Sequence, residues 1–173
     1  MAITKIQSES LNLADNYDFT GTVTGASSPM TPAFEASLGS HQSPTSGVDT
    51  KGSFSTEIFD TDNCYDHSTN YRFTPNVAGK YYVYTLQMYD LQGTDKFGYI
   101  YAMIYKNGSS YRRAYFDQYD NYLAYAKTPY VGTVIDMNGT SDYVEAYVRW
   151  NVTSGTNHIV RSESIFGAYR ILT

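Results

Sequence analysis

Lys80–Tyr89 reads KYYVYTLQMY, ten residues in which Tyr82, Tyr84, Leu86 and Met88 fall on one side and Tyr81, Val83, Thr85 and Gln87 on the other. Successive side chains alternate faces only in an extended chain, so this stretch predicts a β-strand. The same period returns in Gly98–Lys106 (GYIYAMIYK), where Tyr99, Tyr101, Met103 and Tyr105 oppose Ile100, Ala102 and Ile104. In Tyr143–Trp150 (YVEAYVRW), Val144, Ala146, Val148 and Trp150 oppose Tyr143, Glu145, Tyr147 and Arg149. Arg161–Leu172 (RSESIFGAYRIL) is strand-like again. Asn107-Gly108 and Asn138-Gly139 follow apolar runs, where a tight hairpin turn needs positive φ. Gly93, Gly132 and Ser154-Gly155 punctuate the remainder as a sandwich or barrel would require. Asp120–Lys127 (DNYLAYAK) is the one segment with a helical pattern. The expectation is an all-β fold.

Several strands carry aromatic residues on both faces. In a two-layer sandwich one face fills the core and the other meets water or a partner. Tyr offers large contact area with a polar tip, so a second tyrosine-bearing face points to a homo-oligomeric interface; a solvent-tolerant surface is the plainer reading.

The 173 residues hold 12 Lys+Arg and 17 Asp+Glu, a net charge of −5. At 42% hydrophobic and 16% aromatic the chain can build a core, which excludes bulk disorder. The acidic balance argues against a nucleic-acid partner. No apolar run approaches the about 20 residues of a membrane helix, so no membrane partner is expected. The opening MAITKIQSESLNLADNY has no apolar core of a signal peptide. One Cys, Cys64, excludes an intrachain disulfide and a cysteine-based zinc site.

Within residues 1–25, Ile3, Leu11, Leu13, Tyr17, Phe19 and Val23 all occupy odd positions, broken by Gly21 and Gly25. This extended arm is too short to bury itself and must add to its own domain or to another chain. Residues 26–32 (ASSPMTP) read as a linker, and 33–173 as the globular domain.

Catalytic signatures are lacking. His41, His67 and His158 form no metal-binding group, and no nucleophile elbow, phosphate loop or dinucleotide fingerprint occurs. Neither an enzyme nor a cofactor is expected. Asp60–Asp66 (DTDNCYD) starts like a calcium loop, but Tyr65 stands where the loop needs Gly and Tyr71 where it needs Glu. A looser oxygen site from Asp60, Asp62 and Asp66 stays open beside a solvated acidic loop, and so does a cation on a symmetry axis. Three N-x-[ST] sequons occur, at Asn107, Asn138 and Asn151; two coincide with Asn-Gly turns, which explains them without glycosylation. Ser110–Tyr125 (SYRRAYFDQYDNYLAY) interleaves Tyr111, Tyr115, Tyr119, Tyr122 and Tyr125 with Arg112, Arg113, Asp117 and Asp120. Such a mixture either stacks on sugar rings or forms a strand and loop packed inside an oligomer.

Residues 33–173, about four-fifths of the chain, resemble the C1q-like globular head, related to the tumour necrosis factor jelly roll. The resemblance rests on Ala33-Phe34-Glu35-Ala36, on Tyr65-Asp66 followed by Phe73-Thr74-Pro75, and on Gly79-Lys80-Tyr81-Tyr82-Val83-Tyr84. Ile104-Tyr105-Lys106-Asn107-Gly108 and Ser164-Ile165-Phe166-Gly167-Ala168-Tyr169 complete it. Before Phe73 the chain is longer than the family pattern by about one residue, and Asn70 replaces a Gly, a substitution that positive φ tolerates. The resemblance implies a jelly-roll sandwich of about ten strands assembled as a homotrimer. Tyr82, Tyr84, Phe166 and Tyr169 are then expected in the core or at the threefold interface.

Lys5-Ile6-Gln7-Ser8 and Asp15–Gly25 (DNYDFTGTVTG) resemble the leader of small structural proteins of marine bacteriophages. That implies a virion protein made in the host cytoplasm and carried on the virion surface, docked to a fibre, tail or capsid protein through Leu11, Leu13, Tyr17, Phe19 and Val23. The expected function is an exposed appendage, a fibre tip or adhesin that contacts the host surface through a glycan. The alternative is a capsid decoration protein that stabilises the shell; a carbohydrate-binding or carbohydrate-cleaving module and a secreted lectin-like module stand behind it.

Overall fold

The computed structural model describes residues 30–91, 96–117, 126–155 and 158–172. The arm with Leu11, Leu13, Tyr17, Phe19 and Val23 lies outside them, as does most of the helical candidate 120–127. The last two residues of that candidate, Ala126–Lys127, form a strand.

Among the described residues every regular element is a strand. Five of them build the first sheet: β1 (Ala33–Ser37), β3 (Thr56–Asp60), β6 (Gly79–Leu86), β11 (Tyr130–Met137) and β14 (Ile165–Leu172). Their order is β11-β6-β14-β1-β3. The second sheet contains β2 (Thr50–Lys51), β4 (Tyr65–Asp66), β5 (Arg72–Phe73), β8 (Lys96–Lys106), β9 (Ser109–Asp117) and β12 (Val144–Ser154). It runs β4-β5-β12-β8-β9, with β2 also on β12. Three short strands, β7 (Tyr89–Leu91), β10 (Ala126–Lys127) and β13 (His158–Val160), pair as β10-β7-β13. All pairings are antiparallel. The described strands number fourteen where about ten are implied, because β2, β4, β5, β7, β10 and β13 are ladders of two or three residues.

The alternation seen in the sequence separates the faces. Tyr81, Val83, Thr85 and Gln87 are buried, so the other face of β6, with Tyr82 and Tyr84, points away from the core. Ile100, Ala102 and Ile104 meet Val144, Ala146, Val148 and Trp150 inside the sandwich. Phe34 stacks on Tyr65 at 4.3 Å and on Phe73 at 4.7 Å, and Phe166 meets it edge-on at 5.0 Å. Burying each such ring is worth about 1.5–3 kcal/mol from area alone. Two buried polar tips are satisfied: Trp150 Nε1 donates to the Pro44 carbonyl at 2.9 Å, and the Tyr65 hydroxyl to the Phe54 carbonyl at 2.8 Å.

Turn chemistry follows the sequence in part. Asn107 (φ 50°) and Gly108 (φ 76°) close the β8–β9 hairpin, and Gly139 (φ 71°) serves the turn before β12. Three expectations need correction. Gly132 punctuates nothing; it sits inside β11, beneath the Tyr82 side chain. In the loop before Phe73 the left-handed residue is Tyr71 (φ 50°) instead of Asn70. Asn70 is engaged with the Asp66 carboxylate through both its amide and its side chain. Finally, Arg161–Ser164 is a turn, closed by Ser164 N–H to the Arg161 carbonyl at 3.0 Å, and the last strand begins at Ile165.

Candidate functional site

The outward face of the first sheet is a tyrosine cluster built by two glycines. Register places Glu35, Gly167, Tyr84 and Gly132 in one row across β1, β14, β6 and β11. The next row holds Ala33, Tyr169, Tyr82 and Val134. Tyr84 reaches over Gly167 and donates its hydroxyl to Glu35 Oε2 at 2.5 Å. A Cβ at Gly167 would come within 2.5 Å of the Tyr84 ring. Tyr82 reaches the other way, over Gly132, where a Cβ would lie 2.2 Å from its hydroxyl. There the Tyr82 and Tyr130 hydroxyls meet at 2.9 Å. The rings of Tyr82 and Tyr84 stack at 6.1 Å, and Tyr82 contacts Tyr169 at 5.7 Å. Glycines on the outward face therefore let Tyr82, Tyr84 and Tyr130 lie along the sheet instead of standing away from it.

Of the four residues singled out in the sequence, Tyr82, Tyr84 and Tyr169 belong to this face, whereas Phe166 is fully buried in the core. Tyr130 and Glu35 complete the cluster and were not legible, because their partners lie 48 and 49 residues away. Tyr130, Val134 and Tyr169 remain exposed at 48, 44 and 37%, and Ile58 and Phe59 on the edge strand β3 add 55 and 45%. Register joins part of this set on one face: Val134 shares a row with Tyr82 and Tyr169, and Phe59 pairs with Glu35. Burial, and then the Glu35 carboxylate beside it, pushes the Tyr84 phenol well above its ordinary range. Burial, then the Tyr82 hydroxyl, pushes Tyr130 up to about 12. Both are uncharged at neutral pH, so the face presents hydrogen-bonding rings with Glu35 tucked beneath one of them.

The acidic loop is organised by its own backbone. Asp60 accepts from the Tyr65 N–H at 2.7 Å and the Asp62 N–H at 3.3 Å. Asp66 accepts from the N–H groups of Ser68, Thr69 and Asn70 at 3.1, 2.9 and 3.0 Å. These bonds, the one from Thr69 foremost, hold the Asp66 carboxyl far below the usual carboxylate range. The carboxylates thus shape turns, and no group of three or more metal-ligating side chains occurs among the described residues. Cys64 is buried, its thiol pushed up chiefly by desolvation, and so poorly nucleophilic. His41 accepts from the Ser162 N–H at 2.9 Å, a structural bond.

Glu145 is the buried charge of the second sheet. Its carboxylate is 2% exposed and receives Lys51 Nζ at 2.6 Å and Arg72 Nη2 at 2.9 Å. Arg72 in turn lies 4.0 Å from the Tyr143 ring centroid. This network ties β2, β5 and β12 together. The stretch Ser110–Tyr125 is divided: Ser110–Asp117 lies in the edge strand β9, and Tyr119, Asp120, Tyr122 and Tyr125 fall outside the described residues.

No protein-family model and no curated protein sequence matches the chain. Solved structures do. Murine APRIL, in its pH 8.5 crystal structure, is similar over 80% of this chain and 98% of its own, with a TM-score of 0.56 and 9% identity. The Eiger TNF of S. frugiperda is similar over 80% of this chain and 91% of its own, with a TM-score of 0.54 and 11% identity. The two-layer antiparallel sandwich and these likenesses together identify the fold as a tumour necrosis factor/C1q-like jelly roll.

Proposed function

We propose that the chain is a non-enzymatic bacteriophage virion protein, a homotrimer whose jelly-roll heads form an exposed appendage that contacts the host surface. The observation that carries self-association is the tyrosine face of Tyr82, Tyr84, Tyr130 and Tyr169, flanked by exposed Val134. Aromatic rings with polar tips, held in place by neighbouring residues, are what a recurrent protein contact uses. A closed ring of three copies covers the face on each and leaves the opposite layer outward. The virion assignment is supported by the resemblance of Asp15–Gly25 to bacteriophage leaders. In this reading residues 1–25 anchor the trimer to a fibre, tail or capsid protein. Three equal heads then convert weak individual contacts into avid attachment.

Gold-labelled antibody against residues 33–173, applied to purified particles, tests the assignment. Label at fibre ends or on the tail is the expected result. Label spread over the head makes the protein a shell decoration, and unlabelled particles remove the virion reading altogether.

A further inference from the structure

The outward face of the second sheet carries a cleft of about 300 Å³, within the lower range of small-molecule sites. Its floor is three strands wide. Register sets Arg149 beside Tyr101 and Tyr101 beside Tyr115, across β12, β8 and β9. One step along, Tyr147, Met103 and Arg113 form the adjacent row. The Tyr101 ring lies 5.1 Å from Tyr99 and 5.5 Å from Tyr115, and the Arg113 guanidinium stands 5.2 Å from the Tyr101 centroid.

The charges are unequal in their freedom. Asp49 closes one wall, with one oxygen accepting from Arg149 Nη1 at 3.1 Å and the other from the Tyr105 hydroxyl at 2.5 Å. Its negative charge is therefore matched within the wall. Arg149 Nε is buried without a hydrogen-bond partner. Arg113 is exposed and makes no ion pair among the described residues, so the cleft holds one unmatched guanidinium above a tyrosine floor. Tyr115 does not line the cleft itself; it flanks Tyr101 on the edge strand as an open ring, 60% exposed.

We propose that this cleft binds a saccharide bearing an acidic substituent, a carboxylate or a sulfate ester. The sugar ring packs on Tyr101 and Tyr115, and the acidic group docks on Arg113. A planar guanidinium fork recognises both anions through paired hydrogen bonds, whereas the tyrosines offer flat area and hydroxyl tips for the ring. An anion site on a chain of net charge −5 requires such local segregation of positive charge. The site deepens the host-contact reading and rests on it for the source of the sugar. It lies on the layer opposite the tyrosine face, so self-association leaves it open.

The test is binding of the full chain to an array of uronate-bearing and sulfated glycans, each with its neutral counterpart. The expected result is selective signal on one acidic class, weakened at least tenfold by Arg113→Ala or Tyr115→Ala and reduced by added salt. Arg113→Lys is expected to recover only part of it. Uronate against sulfate signal decides which anion is native. Equal signal on neutral glycans, no signal on any, or signal indifferent to both substitutions would overturn the proposal. Both residues lie on an exposed edge strand, and near-ultraviolet circular dichroism confirms that the variants fold. Failure here leaves particle labelling untouched, and unlabelled particles leave a sugar-binding protein without a virion.

Discussion

Tyr84 crosses Gly167 to reach Glu35, and the crossing requires that Gly167 have no side chain: a Cβ would sit 2.5 Å from the tyrosine ring and 3.0 Å from the Phe34 carbonyl oxygen. The ring cannot stay where it is if that position is filled, and the backbone of β1 cannot retreat without disturbing Phe34 in the core. Gly167→Ala is expected to lower stability by about 1–3 kcal/mol, the usual toll of overpacking. Adding Tyr84→Ala should recover part of the loss. Urea unfolding of the single and double variants measures both effects.

Alkaline pH should open the same molecule from within. Tyr81, in the core, has its phenol pushed up to about 12, first by burial. An unfolded tyrosine releases its proton near pH 10. Between about 10 and 12 the folded state therefore holds a proton that the unfolded state has lost, and stability falls as pH rises through that window. Absorbance of tyrosinate should rise together with loss of near-ultraviolet circular dichroism from Tyr81 and the similarly buried Tyr65 and Tyr89. Ionisation of all tyrosines near pH 10 without unfolding would contradict the burial described.

At acid pH the Asp66 turn is the sensitive element. Its carboxyl is held low by the Thr69, Ser68 and Asn70 amides and the Asn70 side chain. That stabilisation is present above the unfolded pKa near 4 and is lost as pH falls below it. Asp66→Ala should cost about 1 kcal/mol at pH 7, as loss of a comparable capping carboxylate does. The difference from the parent protein should shrink at pH 3. Matched urea titrations at the two pH values check it.

Glu145 binds Lys51 and Arg72 through one oxygen while almost fully buried, yet both cations keep roughly 30% of their side chains in water. Removing the carboxylate therefore strands its partners less than in a sealed ion pair, where the loss is about 3–5 kcal/mol. Glu145→Ala should cost about 1–3 kcal/mol. The loss should respond weakly to salt, because buried pairs are poorly screened. Equal stability of parent and variant would show that the network contributes nothing.

Much of this architecture is legible as period two. Tyr81, Val83 and Thr85 against Tyr82 and Tyr84, and Val144, Ala146, Val148 and Trp150 against Tyr147 and Arg149, are inside and outside as alternation demands. Alternation alone does not say which of two apolar faces is the core, and β6 needed its neighbours to decide. Gly132 looks like a turn in sequence and is a strand residue because Tyr82 needs room above it, a contact 50 residues apart. The cleft was illegible for the same reason. Arg113 and Tyr115 sit in an aromatic run that sequence marks, but Asp49 meets Arg149 across 100 residues. The helical pattern of 120–127 ends in strand at Ala126–Lys127, where pairing with Asp90 and Tyr89 overrides local preference.

The assembly itself is the point on which everything functional turns. Sedimentation equilibrium of the parent protein and of a Tyr82→Glu/Val134→Glu variant measures it directly. The expected result is a parent species of three times the 19.5 kDa chain mass and a folded variant of 19.5 kDa, since charge on the tyrosine face prevents its burial. A parent protein that sediments at 19.5 kDa, or a variant that stays trimeric, would contradict the account.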